Sequence, residues 1–132
     1  MSEYLVDTVA FVRYLEDRLP SEPDRIFQEA EAGHNHLFLP QIALAEFIYL
    51  TLKGRLRIGH PAVQIREILH NLEASDAFTV TDMPPPAWET FLELGIPEMH
   101  DRLLAAEAVV RDVPIVSNDR SFDRVDHLAR IW

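Results

Sequence analysis

The chain has 132 residues, a formal net charge of −10 and no cysteine. Its length suggests one domain over residues 1–132, and its 48% hydrophobic content is enough for an ordinary globular core. The charge balance argues against a general basic surface for nucleic acid, and the missing cysteines exclude disulfides and thiolate zinc sites.

The start, MSEYLVDTVAF, is acidic and has no basic leader, so it does not read as a signal peptide. No uncharged apolar run is long enough to cross a bilayer. A cytoplasmic, non-membrane protein is expected. EYLV (Glu3–Val6) reads as a short buried strand, and DTVAFVRYLEDRL as a helix that Pro20 stops. EPDRIFQEAEAG reads as a second helix with Gly33 as its C-cap, then HLFL as a strand. Pro40 opens the apolar helix QIALAEFIYLTL, which ends near Gly54. AVQIREILHNLEA is an amphipathic helix, AFTVTD a strand, and PPPAWETFLELG a helix with proline in its first turn. PEMHDRLLAAEAVVRD is a helix with a strongly apolar face, PIVS a strand, and ARIW a short last one. Short apolar strands alternating with helices predict an α/β fold with a mostly parallel sheet covered on both faces.

Sites in such sheets form at the C-terminal ends of the strands. Asp7 directly follows EYLV, and Asp119 closely follows PIVS. Singly, Asp7 also reads as a helix N-cap, Asp119 as a turn residue in SNDRS, and Asp101 as an N-cap or a partner of Arg102. Glu46 is harder to dismiss, because Leu44, Ala45, Phe47 and Ile48 surround it in sequence. A carboxylate buried there needs a cation, either an arginine or a metal ion. If the four acids converge, their repulsion calls for a hard divalent ion with oxygen ligands.

Two other features are weaker. His34 and His36 in HNH lack a third ligand nearby and read as a loop, while His100 before Asp101 reads as a hydrogen-bonding or packing residue. KGRLRIGH gathers Lys53, Arg55, Arg57 and His60 into the densest positive cluster. It is either a phosphate grip or a solvated helix end that offsets the helix dipole.

YLVDTVAFVRYL, LPQIALAEFIYL, GIPEMHDRLLAAEAV and PIVSNDRSF together resemble the PIN-domain nucleases, most closely the VapC-type toxins of toxin–antitoxin pairs. The resemblance spans essentially the whole chain. It implies a three-layer α/β/α fold and a Mg²⁺- or Mn²⁺-dependent endoribonuclease. Asp7, Glu46, Asp101 and Asp119 match the family's acids as catalytic and metal-binding residues. Ser117 replaces the threonine of the family's T-x-D element and keeps its hydroxyl as a supporting hydrogen-bond group; Asp123 is an additional acid nearby. Arg55, Arg57 and Arg120 are the candidate RNA contacts. The implied partners are the RNA substrate, a cognate antitoxin protein and a second copy in a homodimer.

Other classes fit less well. A receiver domain wants paired acids after its first strand and a late lysine, but Asp7 has no acidic neighbour and Lys53 is the only lysine. A dehalogenase-type phosphatase wants an aspartate where Val9 stands. A catalytically silent PIN-like binding module is the remaining alternative.

Overall fold

Apolar residues at both consecutive positions of a strand need cover on both faces of a sheet. Leu5 and Val6 are both fully buried, and so are Ile115 and Val116. The computed structural model describes residues 1–56 and 59–132 and shows why. A parallel sheet forms the middle of a three-layer α/β/α arrangement.

In chain order the elements are β1 (Ser2–Val6), α1 (Thr8–Leu15), α2 (Ser21–Glu31), β2 (Asn35–Pro40), α3 (Gln41–Leu52) and α4 (Pro61–Ala74). Then come β3 (Phe78–Thr81), α5 (Ala87–Glu93), α6 (Met99–Arg111), β4 (Ile115–Val116), a 3₁₀ turn (Arg120–Arg124) and β5 (Arg130–Ile131). The strand order is β3-β2-β1-β4-β5, and every pairing is parallel. The chain first builds outward from β1 through β2 to β3, then returns to the other side of β1 for β4 and β5. The order therefore reverses between β1 and β4, which opens a crevice at their C-terminal ends.

Aromatic packing anchors the helices to the sheet. Phe11 of α1 meets Phe47 of α3 edge-on at 5.3 Å between centroids, and Phe78 of β3 at 6.1 Å. Such pairs add to the burial term itself. The first helix is shorter than its sequence suggests. It stops at Leu15 because Asp17 takes a left-handed φ of 56° and the Arg18 N–H closes on the Arg13 carbonyl at 2.8 Å. Gly33 has φ 85°, as a helix C-cap requires. His36 lies on β2 rather than in a loop, and its Nε2 hydrogen-bonds the Thr79 hydroxyl at 2.6 Å. Among the described residues no helix is long and apolar enough to cross a membrane.

Candidate active site

β1 ends at Val6, so Asp7 emerges at the crevice. The Asp7 N–H still bonds the Val116 carbonyl of β4, which ties this residue to the neighbouring strand end. Asp7 is also the N-cap of α1: the Ala10 N–H donates to its Oδ1 at 2.8 Å. Capping therefore does not take Asp7 out of the crevice, and the two roles are compatible in one residue. Asp7 is only 6% exposed, and burial pushes its pKa up to about 6. A hydrogen bond from Ser117 opposes this, while the charges of Asp119 and Glu46 add to it.

Ser117 is fully buried and joins two acids. Its hydroxyl donates to Asp7 and accepts the Asp119 N–H at 3.0 Å. Asp119 in turn caps the 3₁₀ turn, with the Ser121 N–H on its Oδ1 at 2.9 Å. That backbone hydrogen bond leads the causes that hold its pKa below the ordinary value.

Asp101 is not the cap of its helix. α6 begins two residues earlier, and Glu98 caps it by accepting the Asp101 N–H at 2.7 Å. The Asp101 side chain is thereby free to face the crevice. Burial raises its pKa to about 7, helped by a hydrogen bond to Asp119 and by the charges of Asp119, Glu98 and Asp7. The surroundings thus favour the protonated form of Asp101 and the ionised form of Asp119, as expected of neighbouring carboxyls in unequal environments.

Glu46 stands on the wall of this cluster. Its side chain is 32% exposed, so it is not the deeply buried carboxylate its apolar neighbours suggest. The residues of α3 facing the core are Ala43, Phe47 and Thr51, and Glu46 lies off that stripe. His100 Nδ1 sits 3.8 Å from Glu46 Oε2 and 2.9 Å from Glu98 Oε1. The Glu98 bond, foremost, raises the His100 pKa despite partial burial. So His100 hydrogen-bonds within the acidic rim.

Among the described residues no three His, Cys, Asp or Glu side chains form a ready-made metal cage. The donor set nevertheless fits a hard divalent ion. The four groups are all carboxyl oxygens, and burial and like charge raise the pKa values of Asp7 and Asp101, a penalty on their charged forms that a cation would offset.

The remaining candidates are distributed unevenly. Arg120 is exposed next to Asp119. Arg55 is exposed just beyond the C-terminal end of α3, nine residues after Glu46. Lys53 lies over the Tyr49 ring at 5.4 Å. Arg57 lies outside the described residues. Asp123 is held away from the acids by an ion pair. Arg130 Nε and Nη2 grip its two oxygens at 2.8 and 3.2 Å, and Nη1 donates to the Ser117 carbonyl at 3.1 Å. Arg130 thus clamps both ends of the segment that carries Asp119. Nothing local in sequence announces a clamp between residues seven apart, one on a turn and one on a strand.

Arg130→Ala and Asp123→Ala should each lower the melting temperature by a few degrees. A double-mutant cycle should then return a positive coupling. Additive losses would mean that the two side chains act separately.

Comparison with known proteins adds the family. The sequence model of the PIN domain matches residues 4–128. No curated protein sequence matches the chain significantly. Among solved structures, VapBC2 from Rickettsia felis bound to a DNA fragment from their promoter is similar, with TM-score 0.76 and 20% identity over 98% of each chain. DNA-bound VapBC from Salmonella typhimurium gives TM-score 0.70 and 18% identity over 99% of this chain and 98% of that one. FitAcB from Neisseria gonorrhoeae gives 0.64 and 15% over 98% and 96%. At these identities the structures speak for the fold, and the family match covers nearly the whole sequence. The chain belongs to the PIN domain family.

Proposed function

We propose that residues 1–132 act as one cytoplasmic catalytic domain, a divalent-metal-dependent endoribonuclease that serves as the toxin of a VapBC-type pair. The observation that carries this reading is the crevice of mutually perturbed acids between β1 and β4, where Asp7 and Asp101 are pushed up to about 6 and about 7. Structural ion pairs perturb pKa values too, but these shifts come from burial and like charge, the pattern of a functional site.

Asp7, Asp101 and Asp119 would hold Mg²⁺ or Mn²⁺, with Ser117 fixing the relative orientation of Asp7 and Asp119. When bound, such an ion offsets charge on the phosphodiester and lowers the pKa of a coordinated water. Glu46, on the solvent-facing wall, orients the attacking water. His100 and Glu98 hold the Glu46 side of the rim. Arg120, Arg55 and Arg57 contact phosphates that the acidic chain would otherwise repel.

Two surfaces support the proposed protein partners. Phe11, Tyr14, Leu15, Ile68, Leu72 and Phe78 line a 170 Å³ groove between α1 and α4. It shares Leu15, Ile68 and Asn71 with a 250 Å³ hollow. The adjoining hollows, apolar with polar residues such as Glu16, Gln64 and Glu67 at one end, suit a segment of the cognate antitoxin. Exposed Tyr49, Leu52, Trp88, Leu92 and Met99 on α3, α5 and α6 suit a homodimer.

The test is incubation with a panel of structured RNAs in Mg²⁺ or Mn²⁺, with and without EDTA. Metal-dependent cleavage supports the proposal; no cleavage of any RNA in either metal favours the silent binding module. For the phosphate contacts, Arg55→Ala with Arg120→Ala should weaken RNA binding. It should also reduce the log–log salt slope by about 0.7 per lost contact on single strands. An unchanged slope would leave both arginines as solvated surface.

A further inference from the structure

A cavity of about 420 Å³ lies beside the acids, between the α5–α6 connection and the segment after β4. We propose that this cavity is a nucleotide subsite: it receives the base of a nucleotide adjoining the scissile phosphate, with that nucleotide's phosphate on Arg124 and His127. The proposal rests on RNA being the substrate.

Two walls of the cavity are direct neighbours of the acid cluster. Ser121 lines it and donates its N–H to Asp119 at 2.9 Å. Pro97 lines it and precedes Glu98, which accepts the Asp101 N–H. A polynucleotide lying across Asp101 and Asp119 therefore has this cavity within reach of its next unit.

The chemistry of the lining fits as well. The volume falls within the range of small-molecule sites, which are apolar hollows with a few polar groups. Leu94, Ile96 and Pro97 supply apolar walls of the kind that sandwich an unstacked base. Thr90 and Ser121 supply hydroxyls. The Ser121 Oγ is buried beside Asp119 and helps to hold that acid low, so this wall of the cavity is tied directly to the acid cluster. Glu93 and Asp126 on the rim are acceptors suited to exocyclic amino groups. Arg124 supplies a guanidinium and His127 an imidazole ring N–H at one cavity in a chain of net charge −10. That is where a phosphate is tolerated when the acids repel it.

The test is nuclear magnetic resonance titration of the full ¹⁵N-labelled chain with the 5′-monophosphates of adenosine, cytidine, guanosine and uridine, in EDTA. Without metal the acid cluster repels these probes, so binding there does not mask the subsite. At least one mononucleotide should give saturable shifts at the amides of Gly95, Ser121 and His127. Gly95→Trp should weaken that binding by about tenfold or more. A Cβ added at Gly95, which lines the cavity, meets nothing within 4 Å, so a bulky residue is introduced at the cavity wall without a clash at its Cβ. Arg124→Ala should weaken the mononucleotide but not the matching nucleoside.

Absence of saturable shifts with all four probes, or shifts unchanged in Gly95→Trp, would overturn the subsite. The outcomes separate the two claims. Mononucleotide binding without RNA cleavage would defeat the ribonuclease reading and leave the cavity a nucleotide site. Cleavage without mononucleotide binding would do the reverse.

Discussion

Asp7→Asn is expected to reduce RNA cleavage by on the order of 10²–10³-fold, the usual cost of losing one preorganised electrostatic group. The fold should survive the change. Asparagine caps a helix about as well as aspartate, so the bond from the Ala10 N–H is kept. Its Oδ1 can also still accept from Ser117. The new amide N–H groups face the Asp119 and Glu46 carboxylates, which are acceptors. A variant that remains folded and retains full activity in Mg²⁺ would remove Asp7 from the chemistry. Purified, folded protein with thermal melts recorded alongside the rates makes that distinction.

The second large effect is on the stability of the metal-free protein, and its sign is the reverse of the usual carboxylate case. Asp7 and Asp101 have pKa values raised by folding, to about 6 and about 7. Between the unfolded value and these values the folded chain binds more protons than the unfolded chain. Stability from these groups is therefore fully present below about pH 4 and is lost as pH rises towards 7. His100, raised chiefly by its bond to Glu98, acts in the same direction above its ordinary value. Asp119 and Glu98 act oppositely. Asp119 is held low by the Ser121 N–H; for Glu98, burial is outweighed by bonds from Asp101 and His100. Those two contribute stability lost only at more acid pH.

For Asp7, nearly fully buried, the rise to about 6 corresponds to about 3 kcal/mol at most. Asp7→Asn should thus stabilise the metal-free protein at pH 8 by on the order of 1–3 kcal/mol, and hardly at all near pH 4. Urea denaturation at the two pH values measures both. Equal effects at both would mean that Asp7 is not a strained acid.

What the sequence could and could not reveal follows from the range of the interactions. Asp7 and Asp119 were legible because each lies at or just beyond the end of a short apolar strand, and strand ends meet at one edge. Glu46 was legible as a lone charge in an apolar helix, but the depth of its burial was not. Whether a helix position faces the core or the rim depends on which neighbour packs there, and here Phe47 and Ala43 take the core. Asp101 was ambiguous as a helix-start residue until Glu98 was seen to take the cap three residues earlier. The early end of α1 turns on the left-handed conformation of Asp17, a turn-prone residue whose signal is masked by the helical spacing of Leu15 and Leu19 around it. The clamp of Arg130 on Asp123 and Ser117 required the return of β5 beside β4, which is tertiary information. The strand order itself, with its reversal between β1 and β4, came from the fold. It is this reversal that makes a crevice out of separate strand ends.

If Asp7, Glu46, Asp101 and Asp119 make one cation site, metal binding and proton release must be coupled there. The decisive experiment is calorimetric titration of the metal-free protein with Mn²⁺ near pH 6.5, in two buffers of different ionisation enthalpy. Binding should be saturable with net proton release, because the ion displaces protons held at Asp7 and Asp101. Asp101→Asn should bind clearly more weakly and release fewer protons. No saturable binding by the folded wild type, or binding and proton release identical in Asp101→Asn, would contradict a shared site.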